Sequence, residues 1–293
     1  MYDFSALYEA YTTEEAIRLL TEHSDAVIIA GGSDVLIKLR EGKLRGCELV
    51  SIRKIDSLRG VLTESDGTLK ILPLTSFSHI AKDPLIQRII PVLGEAVDQV
   101  GGPQIRNIGT IGGNISNGVT SADSASTLLA WDAEVEITGP DGVRRTPLKS
   151  FYLSAGKVDL KPAELVTAIR IRPDSYEHCF GHYIKYAMRS AMDIATIGCS
   201  VNVVLSEDRS SFRRVRIAYG VAGPVPMRCP GAESALAGAS VAAEAAELLA
   251  EKVSEEVRPR TSWRASADFR MQIIRETGRR ALKEAVRRAG GAM

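Results

Sequence analysis

The chain has 293 residues, a length that suits two domains better than one. Hydrophobic residues make up 45% of it and charged residues 25%, which is typical of a globular protein with an ample core. The 37 Lys and Arg residues and the 36 Asp and Glu residues give a net charge of +1, which gives no reason to expect nucleic acid or an anionic membrane as the main partner.

The beginning of the chain lacks the features of a secretion signal, because no basic segment precedes a long apolar one. The apolar stretches, such as the one at 26–30, are far too short to cross a bilayer. The sequence therefore predicts a soluble, cytoplasmic protein without membrane contact.

Helices and strands alternate in the first part of the chain. A helix is predicted from Thr12, because Thr12 and Glu15 form a capping box ahead of an apolar face. Continuous apolar residues predict strands at 26–30, 47–55 and 69–74. A second helix is predicted at 83–102, with Pro84 near its start and glycines at its end. This alternation indicates an α/β layer.

The remainder of the chain predicts a different layer. After a bare, glycine-rich loop at 104–118 come a short helix at 121–133 and a hairpin at 133–148. A polar stretch at 172–178 is the candidate domain boundary, giving predicted domains at 1–175 and 178–290. Beyond it, strands are predicted at 194–205 and 213–223, and helices at 241–257 and 265–289. The predicted fold class is therefore α+β, with an antiparallel sheet and helices in the second domain.

Two segments combine glycine with small polar residues directly after a predicted strand or helix. The first comprises Ile28, Ile29, Ala30, Gly31, Gly32, Ser33, Asp34 and Val35. The second comprises Thr110, Ile111, Gly112, Gly113 and Asn114, with Ser116 beside it. Glycine has no Cβ, so successive backbone N–H groups that point into one concavity are open to an anion such as pyrophosphate. Hydroxyl and amide side chains in the two segments add further donors.

Neither segment has the spacing of a known nucleotide fingerprint, since both G-x-G-x-x-G and the P-loop pattern are absent. A single glycine-rich loop is more often a structural turn than a ligand site. Because there are two, each after an element of an α/β layer, a phosphate-bearing cofactor and a structural role are equal alternatives at this point.

The same segments resemble a known family. The stretches "AGGSD" at 30–34, "TIGGN" at 110–114 and "SAD" at 121–123 are similar to those of the flavoprotein subunits of molybdenum hydroxylases, and most similar to the bacterial xanthine dehydrogenase type. The resemblance spans essentially the whole chain and continues at 185–200, 219–229 and 259–271.

This resemblance implies a fold of two α/β subdomains that bind FAD (the PCMH type), followed by a smaller α+β domain. It implies that the two glycine segments hold the FAD pyrophosphate and that Asp123 approaches the adenosine end, where a carboxylate suits a ribose hydroxyl. The main chain of Val166 is expected near the flavin or the adenine, and Lys185 near the isoalloxazine. Two alternatives stay open: Asp123 as the N-cap of a helix from Ser124, and Lys185 as a solvated lysine at a strand edge.

Other side chains receive weaker assignments from the same resemblance. Arg189 is expected to meet the phosphates of NAD. Tyr183 and Tyr186 are candidates to cover a face of the flavin, although tyrosines in a sheet are usually core residues. The basic run at 275–290 either docks a partner or forms a solvated helix face, and the interleaved glutamates favour the latter.

The resemblance also implies the path of the electrons. A molybdenum subunit oxidises a purine, a [2Fe–2S] subunit relays electrons, and FAD in this chain passes them to NAD⁺. The four cysteines are too scattered to hold an iron–sulfur cluster, so FAD is the only redox cofactor expected in this chain. The chain is therefore expected to be an oxidoreductase subunit with no metal site and no catalytic acid or base of its own. The alternatives are the FAD subunit of a carbon monoxide, aldehyde or nicotinate hydroxylase, a free-standing flavin oxidoreductase, and a nucleotide-binding module without redox activity.

If backbone N–H groups of the two glycine segments bind the pyrophosphate, one expectation about substitutions follows. Valine at Gly32 or Gly112 is expected to leave folding largely intact but to abolish FAD binding.

Overall fold

The computed structural model describes residues 2–293, so residue 1 of the predicted N-terminal domain lies outside the described part. The chain first forms a small parallel sheet of three strands in the order β1-β3-β2. Its elements are β1 (Phe4–Glu9), α1 (Thr13–Glu22), β2 (Val27–Ile29), α2 (Val35–Arg40) and β3 (Cys47–Ser51). Because a helix connects each strand to the next, the carboxyl ends of the strands meet at one edge. The loop from 30 to 34 leaves β2 at this edge.

A five-stranded antiparallel sheet follows, with β10 at its centre and the order β4-β5-β10-β6-β7. Its strands are β4 (Val61–Thr63), β5 (Leu69–Ile71), β6 (Glu134–Gly139), β7 (Gly142–Pro147) and β10 (Leu165–Ile171). The small ladder beside it consists of β8 (Tyr152–Ser154) and β9 (Lys157–Val158). The hairpin predicted at 133–148 is confirmed as β6 and β7.

Short helices pack on this second sheet. They are α3 (Phe77–Lys82), α4 (Pro84–Ile89), α5 (Pro91–Val97), α6 (Pro103–Ile108), α7 (Ile111–Ser116), α8 (Asp123–Ala130) and α9 (Leu148–Phe151). All eight residues of α8 are buried, because this helix lies between the second sheet's helices and the C-terminal sheet. The sequence therefore places its least exposed helix at the centre of the molecule.

Two predictions in this region are wrong. The helix predicted at 83–102 is divided into α4 and α5, because Pro91 has no N–H to donate and begins a new helix. The segment at 104–118, predicted as a bare loop, contains α6 and α7. Pro103 occupies the first turn of α6, and the Thr110 hydroxyl caps α7 by accepting the Gly113 N–H at 3.2 Å. Capping and packing outweigh the low helix propensity of glycine here.

The C-terminal part forms a four-stranded antiparallel sheet in the order β11-β12-β13-β14, as the sequence predicts. Its elements are α10 (Pro173–Tyr176), β11 (Phe180–Tyr186), β12 (Ile197–Leu205), β13 (Phe212–Gly220), β14 (Met227–Arg228), α11 (Pro230–Leu236), α12 (Ala243–Glu256) and α13 (Ala267–Arg288). One face of the sheet packs on α11 and α13, with α12 packed against these two helices, and the strands β12 and β13 also contact α8. Among residues 2–293, the helices are all too short or too polar to cross a bilayer.

Candidate functional site

A cavity of about 430 Å³ lies between the parallel sheet and the second sheet. Three walls enclose it: the loop after β2, the first turn of α7, and the chain leading into β10. The predicted site residues that line it are Ile28, Ala30, Gly31, Gly32, Ser33, Asp34, Val35, Thr110, Gly112, Gly113, Asn114, Ser116 and Val166. Ile29, Ile111, Asp123 and Lys185 are not among its lining residues. The cavity has the size of a cofactor site.

The two glycine segments touch each other at Gly31. A Cβ on Gly31 would lie 2.0 Å from the carbonyl oxygen of Ile108, so any side chain there would collide with the backbone before α7. The neighbouring Gly32 has a φ of +76°, which side chains rarely tolerate. Glycine is therefore required at this corner for packing and for backbone conformation.

Free backbone donors occur in the first segment. The N–H groups of Gly31, Gly32, Ser33, Asp34 and Val35 have no acceptor anywhere in residues 2–293, although all five residues line the cavity. Unpaired N–H groups in a row are the backbone arrangement that binds phosphate oxygens. The first segment therefore has the free donors that the predicted anion site requires.

The second segment differs from the prediction, because the N–H groups from Ile111 to Asn114 already have partners within residues 2–293. Gly112 donates to the Pro73 carbonyl at 2.9 Å, and Asn114 donates to the Thr110 carbonyl at 3.0 Å. Ile111 likewise donates to Thr75 at 3.1 Å. What this segment offers a ligand are polar side chains: the Asn114 carboxamide oxygen accepts from Ser124 at 2.6 Å, which leaves its NH₂ group free to donate.

The structure also overturns the expectation that valine at Gly112 leaves folding intact. A Cβ there would lie 2.3 Å from the Cβ of Pro73 and 2.8 Å from its carbonyl oxygen. Gly112 is a packing glycine, so Gly112→Val would separate α7 from the segment that holds it. Valine at Gly32 would strain the backbone for the reason given above.

Lys38 is a cavity residue that sequence reasoning missed. It lies one helical turn beyond the glycine loop, and its N–H donates to the Asp34 carbonyl. Its ammonium group is 3.0 Å from the Asn117 side-chain oxygen, without a carboxylate partner among the described residues. A sequence signal for this role was present: a lysine one helical turn after the glycine loop, a position from which α2 directs the side chain back towards the cavity.

Arg144 holds the third wall of the cavity. Its guanidinium donates to both oxygens of Glu164, at 2.8 and 2.7 Å, and to the Asp159 carboxylate at 2.9 Å. These contacts lower the pKa of Glu164. Between the two carboxylates, Ala163 has a φ of +58°, which only a well-fixed chain keeps at a non-glycine residue. The charge pairs therefore fix a strained turn that lines the cavity.

Asp123 and Lys185 form a separate, buried site. The Lys185 ammonium lies 2.9 Å from Asp123 Oδ2 and donates to the Gln99 carbonyl at 2.8 Å, while the Tyr183 hydroxyl donates to Asp123 Oδ1 at 2.6 Å. The two charged side chains are only 7% and 6% exposed. Burial raises the pKa of Asp123, whereas Lys185 and Tyr183 act to lower it. Lys185 is thus no solvated lysine, and Asp123 caps no helix, since it is the first residue of α8 and its carboxylate bonds elsewhere.

Comparison with known families decides what these features belong to. The model for the FAD-binding domain in molybdopterin dehydrogenase matches residues 2–173, and that for the CO dehydrogenase flavoprotein C-terminal domain matches 182–285. The chain belongs to the FAD-binding subunits of the molybdenum hydroxylases. The resemblance inferred from the glycine segments is confirmed.

Individual relatives match this flavoprotein subunit over most or all of its length. It is 42% identical over 293 residues, 100% of both chains, to the putative xanthine dehydrogenase FAD-binding subunit of Escherichia coli K12. It is 32% identical to the nicotinate dehydrogenase FAD-subunit of Eubacterium barkeri, covering 89% of this chain and 90% of that one. A carbon monoxide dehydrogenase structure from Hydrogenophaga pseudoflava matches it with a TM-score of 0.93 at 28% identity, covering 98% and 99% of the two chains. The predicted fold class is confirmed.

The other predicted contacts of the flavoprotein subunit have mixed outcomes. Arg189 is held within its own loop, with its guanidinium donating to the Met192 carbonyl at 2.8 Å and its N–H to Asp193 at 3.0 Å. Tyr183 is buried, and Tyr186 packs edge-on against Phe269 with ring centroids 5.9 Å apart. Within residues 2–293, no cluster of three or more His, Cys, Asp and Glu side chains is arranged to hold a metal.

Proposed function

We propose that this subunit holds FAD in the cavity beside the glycine loop and links a [2Fe–2S] partner subunit to NAD⁺. In the complex, a molybdenum subunit oxidises xanthine or hypoxanthine. The single observation that carries the FAD site is the row of five unpaired N–H groups from Gly31 to Val35, all on the cavity wall. The full-length identity of 42% to a putative xanthine dehydrogenase subunit supports the purine assignment.

The residues of the cavity fit the cofactor. The five N–H groups are matched to the oxygens of a diphosphate, and the Lys38 ammonium supplies a positive charge at the same wall. Gly31 and Gly32 add no side chain to this wall. When bound, FAD exchanges electrons singly and passes two as a hydride.

Lys185 is proposed to act at the flavin ring. Asp123, 2.9 Å from the Lys185 ammonium, then lies at the same end of the cofactor, which corrects the expectation that it approaches the adenosine end. Their buried ion pair fixes the ammonium group in one position, and a fixed cation favours negative charge on a nearby ring. No acid or base in this chain is needed for the chemistry. The proposed role of the subunit is to bind FAD, to orient it and to set the electrostatic surroundings of the flavin ring.

The FAD site is tested by titrating the purified full-length chain with FAD. Lys38→Met is expected to weaken FAD binding about tenfold, the effect of one charge-assisted contact. Lys43→Met is the matched control, because Lys43 lies just beyond the same helix, pairs with Glu41 at 2.7 Å and does not line the cavity. Equal FAD affinity of the two variants would contradict this placement of the phosphates.

The electron path is tested on the complex isolated with its partner subunits. Xanthine or hypoxanthine is expected to bleach the flavin absorption band, and NAD⁺ to restore it. Bleaching by nicotinate or carbon monoxide instead of the purines would overturn the substrate assignment. Flavin that NAD⁺ fails to reoxidise would overturn the acceptor.

A further inference from the structure

An arginine-rich segment lies outside the cavity and has no role in the site described above. Residues 258–275 contain five arginines and a single acidic residue, Asp268. None of the five has a carboxylate oxygen within 4.0 Å in the described chain, and their hydrogen-bond acceptors are carbonyls and hydroxyls. By contrast, Arg279, Arg280, Arg287 and Arg288 further along α13 all pair with glutamates. The segment is therefore a local excess of positive charge in an almost neutral protein.

Arg270 is the most unusual member of the segment, because it is only 3% exposed and has no counter-ion. It donates to the Thr196 carbonyl at 2.6 Å and to the Ser262 hydroxyl at 2.9 Å, while its Nε has no partner. Burial lowers the pKa of Arg270, and the charges of Arg260 and Arg264 lower it further. Buried charges in proteins are normally paired, so the surroundings of Arg270 favour an anionic ligand.

The turn held by Arg270 presents an aromatic ring beside a guanidinium. Ser262 donates its N–H to the Ala265 carbonyl at 2.9 Å, which closes the turn. Trp263 at its tip is 79% exposed, and the Arg264 guanidinium carbon lies 4.2 Å from the centroid of its ring. An exposed indole stacks on a flat heterocycle, and guanidinium groups bind phosphates in pairs of hydrogen bonds.

The cluster borders the strand end that carries Lys185. Arg270 binds the Thr196 carbonyl, and Thr196 donates its N–H to the carbonyl of Tyr186 at 2.7 Å. Phe269 packs on the ring of the same tyrosine. Tyr186 directly follows Lys185 in β11, so the two side chains point to opposite faces of the sheet, Tyr186 towards α13 and Lys185 towards α8. The arginine cluster therefore lies at the same strand end as the buried lysine but on the α13 face of the sheet.

We propose that Arg260 and Arg264 bind the phosphates, and Trp263 the adenine ring, of the dinucleotide that accepts the electrons. Arg270 is a positioning residue that holds the turn. This inference rests on the proposed function, because it assigns a binding site to the NAD⁺ of that proposal. It replaces the prediction for Arg189, whose guanidinium and N–H are held by Met192 and Asp193.

The site is tested with the FAD-loaded full-length chain by calorimetric titration with NAD⁺, ADP and inorganic pyrophosphate. Arg260→Gln and Arg264→Gln are each expected to weaken the binding of all three probes about tenfold, with the FAD content unchanged. Arg213→Gln is the matched control: it removes another exposed arginine without an ion pair, at the opposite end of the C-terminal sheet. Trp263→Phe is expected to weaken NAD⁺ and ADP binding while leaving pyrophosphate binding unchanged.

Trp263 also reports on binding directly. Trp131 is buried, so quenching of the exposed tryptophan fluorescence by added NAD⁺ or ADP locates the adenine at Trp263. Absence of quenching, unchanged affinities in both arginine variants, or no binding of any probe would each overturn the inference.

The test of this dinucleotide site and the test of the proposed function can fail independently of each other. Reduction of the flavin by NADH in the unmodified protein tests NAD as the redox partner. If NADH reduces the flavin and the arginine variants keep the same affinity, the proposed function stands and the site assignment is wrong. If ADP and pyrophosphate bind through Arg260 and Arg264 but NADH leaves the flavin oxidised, the phosphate site stands and NAD as the electron acceptor is wrong.

Discussion

Lys185 and Asp123 form a buried ion pair that joins the C-terminal sheet to the central helix α8, with 2.9 Å between Nζ and Oδ2. The two residues are 62 positions apart, and each is the other's counter-ion. A pair of this kind depends on the docking of two parts of the chain, because neither charge can be buried alone.

Removing one charge of the pair is expected to be more harmful than removing both. Lys185→Met leaves the Asp123 carboxylate buried without a cation and should destabilise the protein by about 3–5 kcal/mol. The double variant Lys185→Met, Asp123→Asn should recover much of this loss. Urea unfolding of four proteins, the unmodified chain, Lys185→Met, Asp123→Asn and the double variant, measures the coupling. Equal stability of the single and double variants would show that the pair contributes no mutual stabilisation.

The same substitution has a redox readout in the FAD-loaded protein. If Lys185 lies beside the flavin ring, Lys185→Met should lower the flavin midpoint potential, because a cation that favours the reduced, anionic form is lost. Spectroelectrochemical titration measures the shift. A potential that stays constant would remove Lys185 from any role at the ring.

Gly31→Ala is expected to disrupt the junction of the two glycine segments. The new methyl group would lie 2.0 Å from the Ile108 carbonyl oxygen, so the segments would have to separate. We expect a stability loss of at least about 1–3 kcal/mol together with loss of FAD. Gly94→Ala serves as the control for thermal unfolding and FAD content, because Gly94 has no positive φ, its nearest Cβ contact would be an ordinary 3.5 Å to Ile86, and it does not line the cavity. Retention of both properties in Gly31→Ala would contradict the close approach.

Arg144→Gln is expected to loosen the third cavity wall. Loss of the guanidinium leaves the mostly buried Glu164 carboxylate unpaired and releases the turn at Ala163, so both FAD affinity and stability should fall, the latter by about 1–3 kcal/mol. Arg145→Gln is the control on the next residue, where the side chain is exposed and pairs with Glu136 instead. If both variants bind FAD equally, Arg144 does not organise the wall.

The Arg144 contacts also predict a direction of pH dependence. The pKa of Glu164 is lowered in the folded chain, so the unfolded chain binds more protons than the folded one below the ordinary value of 4.5. This contribution to stability is complete above pH 4.5 and is lost as the pH falls through the lowered pKa. In Arg144→Gln the acid-dependent loss of stability should be smaller than in the unmodified chain. Unfolding curves at a series of pH values from neutral to acidic would show this difference, and parallel pH profiles would refute it.

Part of the fold follows from local patterns. The capping box at Thr12 begins α1, the glycine-containing turn after Gly139 makes the β6–β7 hairpin, and apolar runs mark β12 and β13. Each of these patterns involves only a few neighbouring residues, so the element can be predicted without knowledge of the rest of the chain. The break at Pro91 was equally local, but the apolar spacing on both sides of it favoured one continuous helix.

Other features depend on residues far apart in the sequence. β1 pairs with β3 across two intervening helices and a strand, and that parallel pairing leaves no local signal. The amides of Gly112 and Ile111 are saturated by Pro73 and Thr75, which no reading of the glycine segment alone would reveal. Trp263 and Arg270 acquire their surroundings only when α13 meets the end of β11.

The sequence by itself determined the family, the two glycine corners and the antiparallel C-terminal sheet, because backbone conformation and periodicity are set by neighbouring residues. Only the tertiary structure decided which corner has free N–H groups, where Lys185 finds its counter-ion, and which arginines lack one. Hydrogen bonds and ion pairs are satisfied between distant segments, so the unpaired groups that remain for a ligand are a property of the assembled fold.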